Sequence, residues 1–248
     1  IGHALCAEDF DRAADLIELA IRAMLRSRQE ATIRGWLDAI PDEVVRVRPV
    51  LAVGFIGALM AGGEFESVEG RLQDVERMLA AATGEEKETQ TPSAGMVVGD
   101  TEELARLPGA IEMYRAALAL VRGDSAATID HARLAIDRAA EGDHLTEAGA
   151  SGLSGFAFWG GGDLEAAHQA FSLCVGGLLR AGNVSDVLGC SIAVADIRST
   201  QGRLGDALPT YAPGVAPVSP DVGPGLRGAA ARAAGPRRIP SARAEPPA

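Results

Sequence analysis

Lysine is almost missing from this chain: it occurs once, at Lys87, against 22 arginines in 248 residues. That single lysine lies in Glu85-Glu86-Lys87-Glu88-Thr89. A Walker-type phosphate loop needs G-x-x-x-x-G-K-[ST], in which the lysine neutralises β/γ-phosphate charge and the hydroxyl holds magnesium. With Glu88 after the lysine, that nucleotide site is excluded. Cysteine is scarce too. Cys6, Cys174 and Cys190 are odd in number and lack C-x-x-C spacing, so neither a disulfide framework nor a zinc site is indicated, and a reducing cytoplasm is expected. Cys174 and Cys190 read as small apolar packing residues. No apolar run approaches the roughly 20 residues of a bilayer span, and no charged segment followed by an apolar one opens the chain, so no membrane partner is expected. The chain begins at Ile1 in mid-pattern, which reads as a fragment of a longer protein.

Aromatics make up only 4% of residues, while 47% are hydrophobic and alanine is abundant. Strictly alternating β-branched runs are lacking as well. Together these features predict an all-α protein whose helices approach closely through small side chains. Charge is uneven: residues 1–208 carry 18 basic and 32 acidic side chains (−14), and 209–248 carry 5 and 2 (+3). The acidic body repels nucleic acid phosphates and favours a basic or neutral partner.

A recurring pattern organises the chain. In Trp159-Gly-Gly-Gly-Asp-Leu-Glu-Ala-Ala-His-Gln-Ala-Phe171, three glycines precede a helical pattern, as in a backbone phosphate cradle or a turn between helices. A Rossmann cradle needs a preceding strand, whereas Leu153, Phe156 and Trp159 recur at helical spacing, so the turn is preferred. The same turn recurs at Gly63, Gly123, Gly162 and Gly202, and the last three are separated by 39 and 40 residues. The first gap, of 60, contains the polar, aperiodic stretch at about 83–101, read as an inserted loop. Upstream, helices are expected over Asp9–Arg26, Glu30–Ile40, Asp42–Val47 and Val50–Ala61, punctuated by Pro41 and Pro49. Residues 1–208 thus form one helical-repeat domain, and the Pro/Gly/Ala/Arg-rich tail 209–248 reads as disordered and unable to build a helix-turn-helix.

The unit at 148–182 resembles a tetratricopeptide repeat. Gly155 takes the small first-helix place, Phe158 its bulky partner, Gly162 the turn, Ala167 the close helix contact and Phe171 the second-helix aromatic. Gly202, Leu204, Ala207 and Tyr211 repeat the turn, hydrophobic, small and aromatic places. The implied fold is a right-handed superhelix of antiparallel helix pairs. The segment Trp36-Leu-Asp-Ala-Ile-Pro-Asp-Glu-Val-Val-Arg-Val-Arg-Pro-Val-Leu51, with its flanks, resembles the helical-repeat region of large ATP-dependent LuxR-family transcriptional regulators of the maltose-regulon-activator type. The resemblance covers about 1–208. It implies a bacterial sensor segment that binds a protein or small-molecule effector, with self-association among the partners it allows, coupled to nucleotide-binding and DNA-binding domains outside this chain. ATP would belong to that N-terminal domain, and no cofactor or metal is expected in this segment.

Nothing in the sequence calls for catalysis. His3, His131, His144 and His168 form no H-E-x-x-H or nucleophile–base pattern, and the scattered carboxylates read as a solvated face. Stacked helix pairs line a concave groove with their first helices, and repeat position places Met113, Phe156, Trp159, Asp196 and Ser199 there. The competing assignment for Phe156 and Trp159 is the core. Two other functions remain open, a free-standing tetratricopeptide scaffold for a protein partner and, ranked below it, a helical-toroid hydrolase, which needs two acids at catalytic separation.

Overall fold

The computed structural model describes residues 1–27, 29–83 and 101–203. The described residues form eleven α-helices and no strand. They are α1 (Gly2–Cys6), α2 (Phe10–Arg26), α3 (Glu30–Leu37), α4 (Asp42–Val45), α5 (Pro49–Gly62), α6 (Val68–Thr83), α7 (Thr101–Val121), α8 (Ser125–Asp137), α9 (His144–Gly160), α10 (Leu164–Arg180) and α11 (Val184–Thr200). A short 3-10 turn, Phe65–Ser67, leads into α6. The all-α expectation therefore holds for these residues. The inserted stretch (84–100), Leu204, Ala207, Tyr211 and the tail lie outside the described residues.

Two helices carry the N-terminal half. In α2, Ala13, Ala14, Ile17 and Ile21 form a buried stripe, and Asp9 caps the helix by accepting the Arg12 N–H at 3.3 Å. Pro49 occupies the first turn of α5, where its missing N–H costs nothing, so this helix starts one residue before the expected Val50. Every residue from Pro49 to Leu59 is buried, which makes α5 the central helix of a core spanning α1 to α7. Gly54 leaves room for the Ile21 side chain of α2, and Gly57 for the Tyr114 hydroxyl of α7.

Three smaller apolar clusters follow, each shared by consecutive helices between α7 and α11. Side-chain pairings give the direction of packing. Gly155, Gly152 and Gly177 of α9 and α10 face Phe171, Cys174 and Ala148 respectively, so positions rise on one helix as they fall on the other. The pairs Glu165–Arg198 and Cys174–Cys190 run the same way between α10 and α11. Both neighbours are therefore antiparallel. Arg22 of α2 ties the two halves together, reaching Asp143 at 2.7 Å and Glu103 at 2.9 Å.

The turn glycines Gly63, Gly123, Gly162 and Gly202 all have left-handed backbones, with φ of 77°, 77°, 83° and 75°. The residue after each returns its N–H to the carbonyl five positions back, for example Asp163 to Phe158 at 3.0 Å, which closes the preceding helix in a Schellman turn. Gly142 and Gly182 share the left-handed conformation, so from Gly123 onward such a glycine recurs every 19 or 20 residues, between units as well as within them.

Gly162→Ala is expected to cost about 1–2 kcal/mol in urea unfolding, because an L side chain is strained at that φ. Gly160→Ala, with open space around its Cβ position and a helical backbone, is expected to be neutral or slightly stabilising. Equal losses in the two variants would refute the turn geometry as the cause.

Candidate partner groove

The triple glycine belongs to the turn. The Gly161, Gly162 and Asp163 N–H groups donate to Ala157, Trp159 and Phe158, and the Leu164 N–H donates to Gly162. Asp163 then accepts the Ala166 N–H at 3.0 Å, placing a carboxylate where a phosphate would need bare donors.

Just before this turn, α9 presents the aromatic pair read from the sequence. Phe156 is 51% exposed and stands edge-on to the buried Phe171 ring, with centroids 5.0 Å apart and planes at 89°. Trp159 is half-buried and meets the same ring at 6.1 Å and 88°. Phe171 itself is fully buried against Gly155, where any Cβ would lie 2.9 Å from the ring. One core ring thus props up two partly exposed aromatics. Phe158, the bulky repeat residue, is partly buried and packs with Ala167, Phe171, Val194 and Ile197.

The remaining groove candidates differ among themselves. Asp196 and Ser199 of α11, forty positions after Phe156 and Trp159, are both exposed. The Ser199 hydroxyl donates to the Ala195 carbonyl at 2.9 Å. Met113 of α7 is half-buried in the cluster of Ala116, Ala132, Ala135 and Ala150, and its sulfur fills the space left by Gly149 of α9. It packs at the joint between α7 and α9. The structure places these five residues on three helices and brings Phe156 and Trp159 together on one ring.

This chain matches no family model, no curated protein and no solved structure.

Several charged groups that sequence reasoning passed over are buried. Glu112 of α7 is held by His131 of α8 at 2.8 Å and by Arg138, the C-terminal cap of that helix, at 2.6 Å. Asp143 precedes α9 as a cap but gives its carboxylate to Arg22 and to the Thr146 hydroxyl, at 2.7 Å each. The pairing of Arg22 with Asp143 spans 121 positions, so no local pattern announces it. Near the Trp36–Leu51 segment, a cavity of about 270 Å³ is lined by Asp42, Arg46, Arg71 and Asp74 among others. Its two arginines are balanced by two aspartates, and Arg71 is committed to the Phe55 ring 4.3 Å away. Among the described residues no group of three or more His, Cys, Asp or Glu is arranged to hold a metal, and no helix is long and apolar enough to cross a membrane.

Proposed function

We propose that this chain is the sensor or protein-interaction segment of a LuxR-type transcriptional regulator. In this reading the helix pairs stack as a right-handed, tetratricopeptide-like superhelix in the bacterial cytoplasm, and Phe156, Trp159, Asp196 and Ser199 face an effector or partner. The segment binds and does not catalyse. Effector binding is passed to an ATP-binding domain and a DNA-binding domain encoded outside this chain.

The observation that carries the reading is the Phe156–Phe171–Trp159 arrangement. A half-exposed aromatic braced edge-on by a fully buried ring loses little conformational freedom on binding, which is what an anchor residue requires. The Trp36–Leu51 resemblance and the recurring glycine turns support the family reading. In the full-length regulator, Phe156→Ala is expected to lower effector-dependent transcription about tenfold or more while the thermal midpoint stays nearly unchanged. Unaltered response with intact folding would defeat the groove assignment. DNA sequencing on both sides of the coding region is expected to reveal a Walker-type domain upstream and a helix-turn-helix downstream.

A protein scaffold is the second reading, favoured by the apolar side chains Leu173, Leu179, Val184, Leu188 and Ile192, all exposed on α10 and α11. It prevails if the flanking DNA encodes neither domain.

A further inference from the structure

The Sγ atoms of Cys174 on α10 and Cys190 on α11 lie 3.4 Å apart. In sequence they are separated by 16 positions, with the Gly182 turn between them. Leu178 and Val187 pack beside the pair in the same cluster, and Glu165–Arg198 ties the far end of the two helices. The thiols are thus held facing each other by contacts on both sides. A covalent S–S bond is ~2.05 Å long, so closure needs an approach of about 1.4 Å, within reach of side-chain rotation. Gly152 of α9 lacks the Cβ that would sit 3.1 Å from the Cys174 sulfur, which leaves that sulfur room to turn.

We propose that Cys174 and Cys190 are a modification site that forms a reversible intramolecular disulfide on meeting a hydroperoxide, clasping α10 to α11. Cys190 is the residue oxidised first, since it is half-buried while Cys174 is buried with Ala148, Leu178 and Val187. The hydrogen bond between the sulfurs acts in the same direction. Either thiol can donate across this contact, and once Cys190 ionises the Cys174 S–H donates to it, which lowers the Cys190 pKa and raises that of Cys174; burial raises Cys174 further. Partial burial of Cys190 and the Asp186 carboxylate one turn before it oppose the thiolate without reversing the direction.

The chemistry balances. The Cys190 thiolate attacks the peroxide, forming an S–O bond and breaking the O–O bond, and the departing oxygen leaves as water with the proton released by the thiol. Cys174 sulfur then attacks the Cys190 sulfenic acid, forming S–S and breaking S–O, and the released hydroxide takes the Cys174 proton as a second water. Two thiols are oxidised and one hydrogen peroxide is reduced.

The test uses the full chain with Cys6→Ser, which removes the exposed third thiol. With stoichiometric hydrogen peroxide, both remaining thiols are expected to vanish, the mass to fall by two hydrogens, and a peptide linking Cys174 to Cys190 to appear. Dithiothreitol should restore the starting state. The oxidised form should melt about 5 °C or more higher, because the bridge restricts the unfolded chain. In Cys174→Ser, dimedone should label Cys190 as the stalled sulfenic acid. Survival of both thiols, oxidation of Cys190 to sulfinic acid with Cys174 still free, or disulfides found only between chains would each overturn the proposal.

Discussion

Phe171→Ala is expected to lower stability by about 3–5 kcal/mol in urea unfolding, the range for deleting a buried aromatic. The ring has no exposed surface, and it forms edge contacts to Phe156 and Trp159 whose geometry adds about 0.5–1.5 kcal/mol each beyond buried area. Its neighbour Gly155 has no side chain to fall into the vacated space. Collapse around the cavity is therefore limited, which favours the upper part of the range. A second effect separates this variant from an ordinary core deletion: Phe156 and Trp159 lose their common support, so any groove-dependent binding should fall with stability. Phe171→Leu, which retains more volume, is expected to recover part of the stability and little of the edge-on bracing. A loss in Phe171→Ala below about 1 kcal/mol would show that the ring is not the keystone of this unit.

Arg48→Ala is expected to cost a similar amount, about 3–5 kcal/mol, through electrostatics in place of packing. The Arg48 side chain is 4% exposed and meets three carboxylates of α2, with Asp15 at 2.7 Å, Asp11 at 3.4 Å and Glu18 at 3.7 Å. Burial by itself pushes the guanidinium pKa down, but Asp15, Glu18 and Asp11 outweigh it and the net direction is up. The Glu18 side chain is as buried as Arg48, so removing the arginine leaves a carboxylate in the core without that cation. The double variant Arg48→Met with Glu18→Leu is expected to recover most of the loss, because an apolar pair avoids the desolvation of both charges. If chemical denaturation finds the double variant no better than Arg48→Ala, the loss stems from packing of the arginine stem.

What the sequence revealed, and where it fell short, follows from the range of the interactions involved. Glycines 63, 123, 162 and 202 are legible because each closes a helix and must adopt a conformation that few other residues tolerate. Gly142 and Gly182 carry the same signal, Gly142-Asp143 and Gly182-Asn183, but a period near 40 hides a half-period near 20 when only one turn per unit is sought. Pro49 marks the N-terminal end of α5 to within one residue, because its missing N–H and fixed φ both suit the first helical turn.

Leu153, Phe156 and Trp159 illustrate a different limit. A step of three residues falls about 60° short of a full helical turn, so such a series drifts across faces instead of following one. Phe156 accordingly emerges into solvent while Trp159 and Leu153 remain half-buried. The buried charges Glu112, Asp143 and Arg48 were not legible at all. Their burial depends on partners from other helices, supplied by α8, α2 and α2 respectively.

The spacing of the left-handed glycines also sets a rule for changes in chain length. Each such turn between α7 and α11 reverses the direction of the backbone, and from Gly123 to Gly182 the reversals come at nearly constant intervals. A duplication or loss of two intervals returns the chain to its original heading, so every later helix can meet its neighbour as before. Losing a single interval points all downstream helices the wrong way along the same faces, setting Gly155-type gaps against the wrong side chains. Inheritance of such a segment should thus favour gains and losses in helix pairs, with half-units surviving only at an end.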